Sequence, residues 1–377
     1  MFYILRNTFS PNGASSNRAM AYYRAMDAMG IEGTIVVLKP DVKESRIDEH
    51  FNHLKVVHCW NKTSTSNKLF KRLYFYVSVF KFLKQLKRGD KVYVYGSLPC
   101  IHKLVKKKGV DTYLEVTEHP DVYPLKTRLW GNTAKRANED CQKLKGLFVI
   151  SQGLKSYFSG HDVPESRIHI INMIVDAGRF DGLKRKPDKR YVCYCGNGNN
   201  RKDKVDELIL SFKNISESFP DVHLMIVGPK KQVYKEEKDN VELVNELGLN
   251  DRVTFTGSLP ADMIPQILVN AEVLVLKRPD TLQNRAGFAT KLGEYLASGS
   301  LVIASTVGDI PLFLVDGVSA LLFPPGNSDA FEKKLSWALN HQDESRLIGE
   351  RGKTVAKQSF DSMIETKKMM DVIMDAN

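Results

Sequence analysis

No stretch of this 377-residue chain offers the run of about 18 apolar residues that a membrane span requires. Its five cysteines, Cys59, Cys100, Cys141, Cys193 and Cys195, are odd in number and scattered, which excludes a disulfide framework. Cys193 and Cys195 fall in a strand pattern rather than a metal loop, and a reduced, cytoplasmic setting is expected. The opening residues MFYILRNTF show neither a charged leader nor a cleavage site and read as a first strand. Short repeats, low-complexity segments and the signatures of RNA- or DNA-binding modules are missing too. No Asp-x-Asp motif stands at a strand end where it could hold a metal. Gly196 and Gly198 follow a strand, but no third glycine or ribose-binding acid comes after them, so a nicotinamide oxidoreductase is a distant reading.

What is present is an ordinary globular composition, 42% hydrophobic and 26% charged, in a chain long enough for two domains. Apolar strand patterns occur at 2–5, 34–38, 55–58, 92–95, 112–116, 147–150 and 168–171. They recur at 191–195, 223–227, 253–255, 273–276, 301–304 and 320–323. Helical patterns near 14–29, 69–86, 98–107 and 125–144 separate the first group, and alternation of this kind predicts doubly wound α/β domains. The polar, glycine- and proline-broken stretch 175–189 is a plausible linker between an N-terminal domain, 1–180, and a C-terminal domain, 190–358. Amphipathic helices follow residue 328, and the last, about 360–377, is expected to pack back on the first domain.

Residues 285–326 hold the densest pattern. A small-residue loop with Ala286, Gly287 and Ala289 precedes a helix from Thr290 to about Ser298, which Gly299 ends. A strand buried on both faces follows at 301–304, then a short helix near 310–315. Lys291 and Glu294 share one helix face, where an ammonium could meet phosphate and a carboxylate could accept ribose hydroxyls. Elsewhere, the loop NTFSPNGASSNR carries Gly13, Ser15 and Arg18 between the first strand and its helix; a ligand-facing loop and a plain polar turn are both open. YLEVTEHP brings Glu118 and His119 to a strand's carboxyl end, where His suits a sugar hydroxyl or a proton transfer near neutrality. Residues 69–88 combine aromatics with six basic residues, matching either an anionic membrane surface or a sheet-covering helix with a solvated edge. The net charge of +11 fits such a surface or phosphate-bearing substrates.

The run from Glu294-Tyr-Leu-Ala-Ser-Gly299 through Asp316-Gly-Val-Ser-Ala-Leu-Leu-Phe-Pro-Pro325 resembles the donor-binding signature of glycosyltransferase family 4. Lys202-Asp203-Lys204-Val205, VTFTGSL at 253–259 and Arg179-Phe180 are similar to further family segments. The resemblance implies a GT-B fold, two doubly wound Rossmann-like domains facing across a cleft, with acceptor in the first and nucleotide sugar in the second. It implies transfer of a sugar from a UDP- or GDP-sugar to an acceptor hydroxyl in cell-surface polysaccharide or lipid-linked glycan synthesis, retaining and metal-independent, with no cofactor. Glu294 would hold ribose, and Arg201, Lys202 and Lys291 would face the diphosphate. Gly257 and Ser258 would meet the base, Gly287, Phe288, Ala289 and Thr290 would line the donor, and His119 and Glu118 would serve catalysis. Gly13, Ser15 and Arg18 would face substrate. Two departures stand out: Ala286 replaces the first glutamate of the family's Glu-x7-Glu pattern, and Asn197 stands where an arginine is usual. A non-catalytic GT-B partner with a degraded donor site, or a GT-B epimerase or phosphorylase, is the alternative. A cytoplasmic protein, peripheral at the inner face of the membrane, is expected.

Overall fold

Short apolar runs bounded by polar or glycine residues become strands, most of them buried on both faces and the edge strands Leu54–His58 and Val253–Gly257 half-exposed; among the described residues thirteen strands build two parallel sheets. The structure, a computed structural model, describes residues 1–6, 14–38, 47, 49–59, 68–128, 131–198, 200–229 and 239–375. The chain divides into two units, Met1–Asn172 with Ser362–Asn377, and Met173–Asp361.

In the first unit the strands are β1 Phe2–Arg6, β2 Gly33–Val37, β3 Leu54–His58, β4 Lys91–Tyr95, β5 Asp111–Val116, β6 Gly146–Val149 and β7 Ile168–Ile170. Their order is β3-β2-β1-β4-β5-β6-β7, with β1 aligned between its neighbours by Leu5 against Val36 and Val94. Ile4, Leu5, Val92, Val94, Leu114 and Phe148 are buried. The Lys68–Gln85 helix covers one face through Phe75, Val79 and Phe82, whose ring meets Tyr3 edge-on at 5.4 Å. The C-terminal helix Ser362–Met374 packs on the Ala14–Ala28 helix and β6. Glu365, fully buried, accepts the Asn172 N–H at 2.8 Å, and the Lys91 ammonium caps the helix end at the Ile373 carbonyl, 2.6 Å away.

The second unit holds β8 Arg190–Cys195, β9 Val222–Val227, β10 Val253–Gly257, β11 Val273–Leu276, β12 Leu301–Ser305 and β13 Leu321–Phe323, ordered β10-β9-β8-β11-β12-β13. Its core joins Val192, Leu224, Ile226, Val273, Val275 and Ile303 to Leu208 and Phe212 of the Val205–Ser216 helix and Phe331 and Leu335 of the Ser328–Asn340 helix. Each such side chain contributes on the order of 2 kcal/mol by leaving water.

Two helices are shorter than the sequence pattern suggests. In place of a helix over 125–144, only Ala134–Cys141 is helical among the described residues of that stretch. The Asn132 side chain accepts the N–H groups of Thr127 at 3.0 Å and Arg128 at 3.3 Å and donates to the Leu125 carbonyl at 3.0 Å. This local network competes with the helix ladder, and Thr133 then caps the helix that does form, through the Arg136 N–H. In place of 98–107, the helix is Ile101–Leu104, flanked by three-residue turns such as Lys107 N–H to the Leu104 carbonyl. Among the described residues no helix is long and apolar enough to cross a membrane.

Candidate active site

The second unit lays down β8, β9 and β10 in one direction and then returns to place β11 on the other side of β8. Open parallel sheets bind ligands at the carboxyl ends of the strands flanking such a reversal, because the connecting loops part there. Three strand ends at this edge carry glycine: Gly196 after β8, Gly228 after β9 and Gly257 closing β10. The Gly228 N–H donates to the Gly257 carbonyl at 3.1 Å, and the Gly196 N–H to the Val227 carbonyl at 2.9 Å. Gly228 lies at φ +144°, and a Cβ there would strike the Gly196 carbonyl, while a Cβ on Gly196 would meet the Lys291 ammonium. The edge is therefore a ledge of closely packed bare backbone, with open space beside Gly257, where an added Cβ would meet nothing within 4 Å.

A charged cluster stands at this ledge. Asp203 is buried, and its Oδ2 lies 2.6 Å from the Lys291 ammonium while its Oδ1 lies 3.0 Å from Arg278 Nε. The Tyr194 hydroxyl donates to Oδ2 at 2.7 Å, and the Lys291 ammonium donates to that hydroxyl at 3.0 Å and sits 4.4 Å above the ring centre. Burial disfavours the Asp203 carboxylate, yet the two cations outweigh burial and hold the group well below the usual carboxylate range. Burial likewise pulls the Lys291 ammonium below the usual lysine value, with Asp203 opposing. Tyr194 is kept protonated, first by burial and then by Asp203. Two cations against one carboxylate leave a surplus positive charge at the sheet edge, where an anion would be stabilised.

The Thr290–Ala297 helix positions Lys291 in its first turn. Its N-cap, Ala289, has no side chain to cap the first turn, where the Leu292 N–H donates to the Ala289 carbonyl at 2.9 Å and, among the described residues, no side chain meets the N–H groups before it. Ala286, Gly287, Phe288 and Ala289 are buried, Phe288 against the rings of Phe313 and Phe360 at 5.6 Å each, and Thr290 is half-buried. Glu294, one turn beyond Lys291, makes a 2.6 Å ion pair with Arg179. Gly257 lies at φ +74° and Ser258 is exposed. Arg201 is exposed and Lys202 half-buried on the single helical turn Asn200–Asp203, and Lys204 takes the left-handed conformation, φ 50°, that favours glycine. Asn284 holds this turn by donating to the Lys202 carbonyl at 3.1 Å and the Pro279 carbonyl at 3.0 Å.

In the first unit, Gly13 lies outside the described residues, and Ser15 is exposed. Arg18 is buried and turned inward: its Nε meets Glu115 at 2.8 Å and its Nη2 donates to the Ile171 carbonyl at 3.2 Å. Glu115 also accepts the hydroxyls of Tyr22 at 3.2 Å and of Tyr93. Glu118 is half-buried. His119 is buried, its ring edge-on to Tyr157 at 4.5 Å, and its Nδ1 accepts the Asp121 N–H at 3.2 Å. That bond assigns the ring proton to Nε2, and burial lowers the His119 pKa with Asp121 opposing, so near neutrality the ring is an uncharged Nε2–H donor.

Sequence reasoning singled out Lys291 and Glu294 but gave no role to Asp203, and Tyr194, Asn284 and Arg179 went unnoticed as site residues. In the sequence Arg278 follows the 273–276 strand with Pro279 and Asp280, where these residues could line the cleft. The one available signal was Asp203 itself, an acid set between Lys202 and Lys204 in a segment that opens a helix.

Residues 179–355 match the family model for glycosyl transferases group 1. The matched residues lie within the second unit. Among curated proteins, the MMP alpha-(1->4)-mannosyltransferase of Mycolicibacterium hassiacum is 25% identical over 63% of this chain. The chain spans about half the length of the curated relatives it matches, 55% of that one and 40% of a D-inositol 3-phosphate glycosyltransferase of Mycolicibacterium gilvum. Among solved structures, sucrose-phosphate synthase from Thermosynechococcus elongatus aligns with a TM-score of 0.74 at 18% identity, over 98% of this chain and 97% of its own. Anabaena HepE, solved in complex with UDP, aligns at 0.73 and 16% identity, over 99% of each chain. The fold is that of the GT-B glycosyltransferases, with two Rossmann-like domains.

Proposed function

We propose that the protein transfers a sugar from a nucleotide-sugar donor to an acceptor hydroxyl, as a member of glycosyltransferase family 4. The observation that carries this reading is the Asp203–Lys291–Arg278 cluster beside the glycine ledge. In glycosyl transfer the carbon–oxygen bond to the donor sugar breaks, the acceptor oxygen takes the sugar, and negative charge accumulates on the departing diphosphate. Lys291 and Arg278, already fixed by Asp203, meet that charge without reorganising, and the uncapped first turn of the Thr290–Ala297 helix adds N–H donors. Such fixed cations can stabilise the diphosphate without a metal, so the proposed catalysis is metal-independent. Glu294 accepts from the ribose. UDP is the first nucleotide to try, because HepE was solved with UDP. Retention of anomeric configuration follows from the family resemblance alone.

The first unit is proposed to bind the acceptor, a growing cell-surface polysaccharide or a lipid-linked glycan, with the His119 Nε2–H donating to a sugar hydroxyl. Its Lys68–Gln85 helix exposes Phe70, Leu73 and Phe80 on one face at 50%, 54% and 51%, alongside Arg72, Lys81 and Lys84. The Lys103 ammonium lies 4.1 Å from the Phe80 ring centre. An apolar stripe edged by lysines fits an anionic bilayer surface. Replacing Lys81, Lys84, Lys87 and Arg88 by serine should abolish co-sedimentation with phosphatidylglycerol vesicles; retained sedimentation would remove the membrane from the reading.

The donor assignment is tested by melting the purified protein with nucleoside diphosphates and nucleotide sugars, with and without magnesium. A rise of several degrees with one base and no magnesium supports it. No rise with any of them points instead to a partner protein whose donor site has decayed, with Ala286 as its mark.

A further inference from the structure

The carboxylate on which the ribose assignment turns is not free-standing. Arg179, in the short turn Ala177–Phe180, donates from Nη1 to Glu294 Oε1 at 2.6 Å and from Nη2 to the Ala261 carbonyl at 2.5 Å. Phe180, buried, anchors that turn. Ala261 belongs to the loop after β10, and Glu294 to the second turn of the Thr290–Ala297 helix. One planar cation therefore ties together the loop and the helix that flank the ledge, a bridge for which a guanidinium has the geometry and a lysine does not. Cys195, at the end of β8, feels the same groups: burial pushes its thiol up to about 11, Glu294 adds to the rise, and Lys291 and Arg179 oppose it. Arg179, Glu294 and Lys291 thus surround one strand end. Both members of the Arg179–Glu294 pair are about a quarter exposed, at 25% and 27%, so the pair is within reach of a ligand and contributes little to stability. Arg179 engages Oε1; among the described residues no hydrogen bond ends on Glu294 Oε2.

We propose that Arg179 is a positioning residue for the nucleoside of the donor. It fixes the Glu294 carboxylate with Oε2 turned to a ribose hydroxyl and holds the loop after β10 against the base. The proposal rests on the donor reading above. It acts through Glu294 and does not touch the reacting carbon, so its loss is felt in donor affinity and donor KM rather than in kcat.

The test is calorimetric titration of the full chain with UDP, GDP and ADP, and of whichever binds with its 2′-deoxy and 3′-deoxy counterparts. Wild type, Arg179→Ala and Arg179→Lys are compared. Arg179→Ala should weaken ribonucleotide binding about tenfold, near the size of one charge-assisted hydrogen bond, with the melting temperature almost unchanged. Arg179→Lys should recover part of the loss. For the deoxy counterpart that lacks the hydroxyl bound by Glu294, the penalty of Arg179→Ala should shrink severalfold. Equal or tighter ribonucleotide binding by Arg179→Ala, or the same penalty for every deoxy ligand, overturns the proposal while leaving the donor site standing. Failure of wild type to bind any of the three nucleotides overturns the donor reading itself.

Discussion

Near the carboxyl edge of its sheet each unit buries a carboxylate against an arginine, Glu115 in the first and Asp203 in the second, and the two units use the arrangement differently. In the first, Glu115 is locked by Arg18 and the hydroxyls of Tyr22 and Tyr93, with the side chains of the ion pair only 2% and 1% exposed. In the second, Asp203 holds Arg278 and Lys291, and Lys291 keeps 14% of its side chain exposed beside a ledge made of glycine. A sealed pair braces a helix against a sheet. A pair with a second cation left partly open beside bare backbone is a charge prepared for a ligand, because the low-dielectric surroundings strengthen any interaction the exposed side makes.

The comparison can be broken in several ways. Asp203→Ala leaves two buried cations uncompensated and should cost about 3–5 kcal/mol in urea unfolding while removing nucleotide binding. A loss below about 1 kcal/mol would mean that solvent already screens the cluster. Lys291→Met should slow transfer by about 100-fold or more, the effect of deleting one preorganised charge donor, with a smaller change in melting temperature. Full activity in Lys291→Met would reduce the second cluster to a brace like the first. The double change Arg18→Met with Glu115→Leu should cost about 2–5 kcal/mol, because the buried Tyr22 and Tyr93 hydroxyls lose their acceptor, and leave donor affinity intact. A loss of nucleotide affinity in that variant would show the first unit's pair to be more than internal.

The smallest effect is in pH. The Asp203 carboxyl is depressed in the folded state, so its contribution is complete above the unfolded carboxylate value near pH 4 and is lost as pH falls through the folded value. The stability gap between wild type and Asp203→Asn should therefore be largest near neutrality and narrow below about pH 4. A gap that widens on acidification would reverse the assigned sign.

How far the sequence went can be seen at particular residues. The strands were legible because burial on both faces demands unbroken apolar runs such as VLVL at 273–276 and LVIAS at 301–305. The Thr290–Ala297 helix was legible because Gly299, at φ +77°, marks its end. The helix over 125–144 was misread because nothing in the apolar periodicity reveals that the Asn132 side chain will satisfy the backbone groups a helix needs. The site was half legible. Lys291 and Glu294 announce themselves by spacing on one helix, whereas their partners are remote in sequence.

The sequence by itself determined the element order, the two parallel sheets and which helix carries Lys291 and Glu294 on one face, since these depend on burial periodicity and local capping. Tertiary structure alone decided the charge pairing: Asp203 meets Arg278 across 75 positions and Lys291 across 88, and Arg179 meets Glu294 across 115. Ion pairs have no periodicity. They follow from which strand ends and helix starts the sheet order brings within about 3 Å, a distance at which direction and burial, not sequence, set the energy.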